Sequence, residues 1–75
     1  MPHRKHLANL LRKLRDNHGL SQEALAEKAG LHRTYISQLE REMKSPTLDV
    51  MVALASAFGM TLKEFLSHFS RGLAV

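Results

Sequence analysis

Cysteine is absent from this chain of 75 residues, which excludes both a disulfide framework and a metal site built on thiolates. No apolar run approaches the roughly 20 residues that a membrane-spanning helix needs. The opening residues, MPHRKH, lack the hydrophobic stretch of a signal peptide. Strand patterns, internal repeats and low-complexity segments are missing too, and the length leaves room for one hydrophobic core only. We therefore expect one soluble cytoplasmic domain that has no membrane partner.

Catalytic signatures are missing as well. Five histidines are spread over the sequence, and no pair has the i, i+4 spacing beside a carboxylate that a helical metal site requires. Neither a nucleophile motif nor a glycine-rich phosphate loop is present. We expect no enzymatic activity, no metal, no cofactor and no small-molecule ligand, and the small size instead favours a helical module that binds a partner with its surface.

Positive charge is concentrated at one end of the chain. The formal net charge is +4, and the first 20 residues contain five lysines and arginines against one aspartate. From residue 21 onward, six basic and six acidic side chains cancel. A phosphate backbone would be attracted to the N-terminal excess, and the alternative interpretation is a solvated helix face.

Residues 22–41, QEALAEKAGLHRTYISQLER, predict two short helices with a turn at Gly30. Ser21 is placed to cap the first of them with its hydroxyl, and Gly30 can end it in a left-handed conformation without a steric cost. The small Ala26 lets the two backbones cross closely. The spacing of a DNA-binding helix-turn-helix unit, offsets 0, 4, 10 and 13, is shown by Ala26, Gly30, Ile36 and Leu39.

Apolar periodicity predicts three more helices. The first should run from about Lys5 to Asn17, because leucines recur there at steps of three and four residues. The fourth should begin near Leu48 with Thr47 as its cap, and the fifth should open with the capping box of Thr61 and Glu64.

The predicted fold is an all-α, compact five-helix domain spanning residues 7–69. An N-terminal arm, residues 1–6, precedes it, and a C-terminal tail, residues 70–75, follows it. The fourth helix has so wide an apolar set that we expect burial on more than one side. This set consists of Leu48, Met51, Val52, Leu54, Ala55 and Phe58.

The segments LSQEALAEKAGLHRTYISQLER and SPTLDVMVALASAFG resemble the Cro and lambda-repressor-like family of bacterial and phage regulators, also called the xenobiotic-response-element family. The resemblance covers roughly residues 7–69, and RTYIS at residues 33–37 is similar to the controller proteins of restriction-modification systems. It implies a lambda-repressor-like fold and a sequence-specific transcriptional regulator that binds an inverted-repeat operator as a homodimer. One departure is Glu42, which stands where the family usually has glycine, so a left-handed backbone there would cost on the order of 1 kcal/mol.

The outer side of the third helix is the predicted reader of bases in the major groove. Arg33 could place two donors on guanine, Gln38 could form the equivalent pair with adenine, and Thr34 could contact a thymine methyl. An ordinary solvated polar face is the alternative. The base-contacting candidates are Arg33, Thr34, Ser37 and Gln38.

Contacts to phosphates would fix the position of the domain on DNA. Gln22 resembles the family glutamine that meets a phosphate at a helix N-terminus. The other phosphate-contacting candidates are His32, Tyr35, Arg41, Lys44 and Ser45. Arg4, Lys5 and His6 could reach DNA as an arm, with a disordered tail as the alternative. Arg15 resembles the family arginine that pairs with the glutamate of the third helix, here Glu40, and this makes Arg15 structural.

The resemblance also implies pairing of two copies through the fifth helix. The predicted dimer interface consists of Leu62, Phe65, Leu66 and Phe69, and the alternative is that Phe65 and Phe69 complete the core. The expected partners are therefore double-stranded DNA, at the nucleoid, and a second copy of the chain. Two functional alternatives stay open: an antitoxin or restriction-modification controller that autoregulates its operon and binds a partner protein, and a domain of a longer regulator.

Overall fold

The computed structural model describes residues 2–74, with side chains described for residues 2–71. Met1 and Val75, the outer ends of the predicted arm and tail, lie outside the described residues. The helices are α1 (Pro2–His18), α2 (Gln22–Ala29), α3 (Arg33–Glu40), α4 (Leu48–Ala57) and α5 (Leu62–Ala74). No strand occurs between residues 2 and 74, and the prediction of an all-α, five-helix domain is confirmed.

Both predicted terminal segments are helical where the structure describes them. α1 begins at Pro2, so residues 2–6 form its first turn. Proline suits this position because a helix leaves its first amide unpaired. α5 continues to Ala74 through most of the predicted tail. Neither segment carries the apolar periodicity from which we predicted helices. The predicted first and fifth helices were therefore shorter than α1 and α5.

The hydrophobic core lies where all five helices meet. α3 packs against α1 and α2, while α5 packs against α1 and α4. The buried cluster consists of Leu7, Leu11, Leu14, Leu25, Ala26, Ile36, Leu39, Leu54, Ala55, Phe58 and Phe65. Phe65 is 0% exposed, so its side chain completes the core of one copy and offers no surface to a partner. This corrects the assignment of Phe65 to a dimer interface.

The outer side of α4 is not buried, contrary to expectation. Leu54 and Ala55 face the core, but Leu48 is 59% exposed and Val52 is 46% exposed. These two residues are four apart and therefore lie on one side of the helix. The apolar residues of α4 therefore fall into two groups: one side of the helix packs in the core, and the other side is exposed apolar surface.

None of the helices within residues 2–74 is by itself long and apolar enough to cross a membrane. The pair formed by α4 and residues 62–71 of α5 reaches the required length and composition only when joined, and it is bent by 99°. Both helices contribute to the shared core.

Helices α1 to α4 each end in the same type of turn. In each of these turns, a backbone amide donates to the carbonyl five residues earlier in the chain. The pairs are Leu20 to Arg15, Leu31 to Ala26, Met43 to Gln38 and Met60 to Ala55, at 2.8–2.9 Å. This is the Schellman motif, and the residue before each donor is left-handed. Three of these residues are glycines, and the fourth is Glu42, with φ at 63°. The expectation that Glu42 occupies a position suited to glycine is confirmed.

Replacing Glu42 with glycine should raise the free energy of unfolding by about 0.5 to 1 kcal/mol. Glycine removes the steric cost of the left-handed backbone, and its greater freedom in the unfolded chain offsets only part of that gain. Urea unfolding followed by circular dichroism measures the change. Glu42→Ala is the matched control, because it removes the same charge and keeps the strain; equal stabilities for the two variants would contradict the account.

The predicted helix caps are confirmed. Ser21 Oγ accepts from the amide of Ala24 at 3.0 Å, and Thr47 Oγ1 accepts from the amide of Val50 at 3.2 Å. Thr61 and Glu64 form the reciprocal capping box, with bonds of 3.0 and 3.1 Å. The bond from the Thr61 amide is the main cause that lowers the pKa of the Glu64 carboxyl. These local bonds fix where α2, α4 and α5 begin.

Candidate nucleic-acid interface

The inner face of α3 holds the helix on the domain. Ile36 and Leu39 are completely buried, and Tyr35 is half-buried beside them. The turn that ends α2 at Gly30 has left-handed geometry with φ at 68°, so the elbow has the shape that its sequence predicts. α3 therefore packs through one side only, and its other side faces outward.

The outer face of α3 carries the predicted base-reading residues. Arg33 and Thr34 are exposed, while Ser37 and Gln38 are half-buried. Arg33, Thr34 and Ser37 line a shallow depression of about 200 Å³ together with Arg41, and Gln38 lies outside it. The structure thus brings three of the four candidates together around one concave patch, with a second arginine at its edge.

The end of α3 is locked to the rest of the domain by a buried ion pair. Arg15 on α1 donates to both oxygens of Glu40, from Nε to Oε2 at 2.7 Å and from Nη2 to Oε1 at 2.9 Å. Glu40 is only 4% exposed. Its hydrogen bond to Arg15 is the main cause that raises the pKa of the Arg15 guanidinium. The structural role predicted for Arg15 matches this geometry.

A second arginine of α1, which was not among the predicted functional residues, supports the same helix end. Arg12 Nη1 donates to the backbone carbonyl of Glu40 at 2.6 Å, and Arg12 Nη2 donates to Asn9 Oδ1 at 2.9 Å. The sequence spacing could have indicated this role, because Arg12 is three residues from Arg15 and the two side chains therefore lie on adjoining sides of α1. Two guanidinium groups therefore hold the C-terminal end of α3.

Gln22, the first residue of α2, belongs to the same network. Its Nε2 donates to Glu40 Oε1 at 3.2 Å. This bond fixes the Nε2 group of Gln22, and the Gln22 side chain is half-buried at the start of α2. The buried carboxylate orients the side chain that was predicted to meet a phosphate.

The remaining phosphate candidates lie at the two ends of α3 and in the loop after it. His32, Arg41, Lys44 and Ser45 are exposed. Lys44 Nζ lies 5.8 Å from the centre of the Tyr35 ring, a distance at which a cation is attracted to an aromatic face. Burial raises the pKa of the Tyr35 hydroxyl, so this group remains a proton donor at neutral pH.

Arg4 reaches this loop from the first turn of α1. Its Nε donates to Ser45 Oγ at 2.9 Å, across 41 positions of the chain. The residue predicted to belong to a flexible arm is therefore placed beside a predicted phosphate contact. Lys5 is exposed on the same turn, and His6 is half-buried and lines a different surface, between α1 and α5.

An outward helix that follows a second helix through a turn at residues 30–32 and packs against it, on a domain of net positive charge, is the arrangement of a helix-turn-helix DNA-binding transcriptional regulator. Comparison with protein families agrees, because the helix-turn-helix model HTH_3 matches residues 11–65. The chain belongs to this family, and the predicted Cro and lambda-repressor-like membership is confirmed.

Two curated relatives illustrate the range of the family. Over 62 residues, the chain is 42% identical to control protein C.SmaI of Serratia marcescens, which covers 83% of this chain and 74% of that protein. Over 58 residues, it is 37% identical to the HTH-type transcriptional regulator PuuR of Escherichia coli, which covers 77% of this chain and 31% of that protein. The aligned region therefore spans most of the length of control protein C.SmaI but less than a third of the length of PuuR.

Solved structures give the same fold. The restriction-modification controller protein C.AhdI from Aeromonas hydrophila superimposes with a TM-score of 0.77 at 35% identity, over 83% of this chain and 94% of that chain. The wild-type restriction-modification controller protein C.Esp1396I superimposes with a TM-score of 0.87 at 25% identity, over 97% of this chain and 94% of that chain. The similarity to both controllers therefore extends over nearly their whole length.

Proposed function

We propose that the protein binds an inverted-repeat operator as a homodimer, with α3 of each copy in the major groove. The observation that carries this proposal is the outward face of α3 around the depression lined by Arg33, Thr34 and Ser37. An α-helix fits the major groove, where each base pair presents a distinct pattern of donors and acceptors. Two-fold pairing would place two such helices about 34 Å apart, so that they meet half-sites one turn apart on the same side of the duplex.

Base reading is assigned to the exposed face of α3. Arg33 can donate two bonds to guanine, Gln38 can exchange a donor and an acceptor with adenine, and Thr34 can contact a thymine methyl. Ser37 is short and half-buried, so its hydroxyl contacts a base only when α3 lies deep in the groove. Arg41, which lines the same depression, lies one turn beyond Ser37 and is assigned to the phosphate backbone.

Phosphate binding is assigned to groups on both sides of that face. Gln22 is oriented by its bond to Glu40 and lies at a helix N-terminus, where backbone amides favour an anion. Lys44 and Ser45 form the other side, and Arg4, which donates to Ser45, adds positive charge to this side. His32, Tyr35 and Arg41 complete the proposed phosphate-contacting set.

The homodimer is assigned to the apolar surface of α5. Leu62 and Leu66 are half-buried in one copy and are not part of the core or of the side chains packed against it. Phe69 is also half-buried, although it packs against the core. These three side chains recur at steps of four and three residues and so share one side of α5, and removal of their apolar area from water between two copies would stabilise the pair. Light scattering across a range of concentrations tests this assignment.

Arg33→Ala should weaken binding to the specific operator by about 1 to 3 kcal/mol and blur the preference at one base pair. Lys44→Ala is the comparison variant, because loss of a phosphate contact should weaken all sequences alike and reduce the salt dependence. Fluorescence anisotropy with the operator and with single-base variants of it measures both. An unchanged base preference for Arg33→Ala would remove this residue from the base-reading set.

A role as a restriction-modification controller is supported by the 42% identity to control protein C.SmaI, which covers 74% of that protein, and by the two controller structures that match this chain. Such a protein would act in the cytoplasm, at the nucleoid, and regulate its own operon. Selection of bound sites from random duplex DNA gives the operator directly. The selected inverted repeat is expected upstream of the gene that encodes the chain, and its absence there would contradict autoregulation.

A further inference from the structure

A groove runs between α1 and α5, away from the proposed DNA-reading face. Its volume is about 540 Å³, within the range of sites that hold small organic molecules. Leu10 and Phe69 give it an apolar floor, and both are half-buried. None of its lining residues belongs to α2 or α3, so an occupant would not compete directly with bases.

The rim of the groove is positively charged or polar. Its basic and imidazole groups are His6, Lys13, His68 and Arg71. No carboxylate occurs among the lining residues. Within residues 2–71, no side-chain hydrogen bond or ion pair engages any of these four groups. Of the four, His68 lies close enough to Glu64 for its charge to lower the pKa of that carboxyl.

We propose that this groove binds an amphipathic organic anion. The apolar body of the ligand would lie on Leu10 and Phe69, and its carboxylate would bind between Lys13 on α1 and Arg71 on α5. Charge selects the occupant, because an apolar floor alone accepts any apolar body, whereas a rim of donors without a carboxylate favours an anionic head over a neutral or cationic one. The ligand would bridge the helix that holds α3 and the helix that carries the proposed dimer surface.

Titration of the ¹⁵N-labelled full chain with sodium octanoate, followed by NMR, tests the proposal. Saturable chemical-shift changes are expected at the amides around Leu10, Lys13 and Phe69. Octanamide has the same apolar body without the charge and should bind at least about tenfold more weakly. Equal affinity for octanoate and octanamide would overturn the charge argument. Shifts confined to the exposed residues Leu48 and Val52 would overturn the location.

A pair of double variants separates the groove from the overall charge. Lys13→Glu with Arg71→Glu should weaken octanoate binding at least about tenfold, since two donors become repulsive. Lys28→Glu with Lys63→Glu changes the net charge equally at exposed positions outside the groove and should leave binding unchanged. Equal losses in the two double variants would overturn the proposal.

Two further measurements keep the result decisive. The milder pair Lys13→Gln and Arg71→Gln replaces the first double variant if circular dichroism shows that the glutamates unfold it, and a loss of affinity is again expected. Dilution of the ligand-free protein tests whether a second copy of the chain, rather than a small anion, occupies the groove. Phe69 also belongs to the proposed dimer surface, so the α1 residues Leu10 and Lys13 decide the outcome. If dilution alone produces the shifts at these two residues, a second copy fills the groove and the small-anion proposal fails.

Discussion

Arg15→Ala is expected to lower the free energy of unfolding by about 3 to 5 kcal/mol. This range applies when one partner of a buried ion pair is removed and the other charge stays buried. Glu40 is 4% exposed, and without Arg15 its carboxylate keeps only the bond from Gln22 at 3.2 Å among the described side chains. The stability of a small domain is roughly 5 to 15 kcal/mol, so the change would remove a large part of it.

Urea unfolding followed by circular dichroism measures this loss, and two variants identify its cause. Arg12→Ala removes the part-buried bond that this exposed side chain donates to the Glu40 carbonyl and should cost only about 0.5 to 1.5 kcal/mol. The double variant Arg15→Ala with Glu40→Leu leaves no buried charge, so it should recover much of the stability. A loss below about 1 kcal/mol for Arg15→Ala, or a double variant less stable than Arg15→Ala, would contradict the buried-pair account.

Features fixed by a few neighbouring residues could be predicted from the sequence. The caps at Ser21 and Thr47, the box at Thr61 and the left-handed backbone at Glu42 each depend on contacts within about five residues. The elbow at Gly30 is of the same kind. Because these local bonds determine where the helices begin and end, the outward face of α3 could be predicted as well.

Features that depend on packing between distant segments could not be read from the pattern. Phe65 and Leu48 are both apolar and both fall on predicted helices, yet one is fully buried and the other is 59% exposed. The bond from Arg12 to the Glu40 carbonyl joins residues 28 positions apart. Periodicity states which side of a helix is apolar, but it does not state whether another helix covers that side.

The largest core effect is expected for Phe65→Ala, which should lower the free energy of unfolding by about 3 to 5 kcal/mol. Phe65 is one of the largest side chains that the domain buries completely, and alanine would leave a cavity between α5 and the core. Because the side chain is already covered in one copy, the loss should be nearly the same at all protein concentrations. Urea unfolding at two concentrations that differ about tenfold tests this point.

Leu66→Glu is the matched variant on the exposed side of the same helix. Leu66 is half-buried and lies outside the core, so glutamate should disrupt pairing while the single copy keeps its fold. Light scattering should then report a monomer, with the far-ultraviolet circular dichroism retained. If Phe65→Ala dissociated the protein without destabilising it, and Leu66→Glu unfolded it, the roles assigned to the two sides of α5 would be reversed. The expected outcome instead separates folding from assembly, because the core needs the buried side of α5 and only the dimer needs its exposed side.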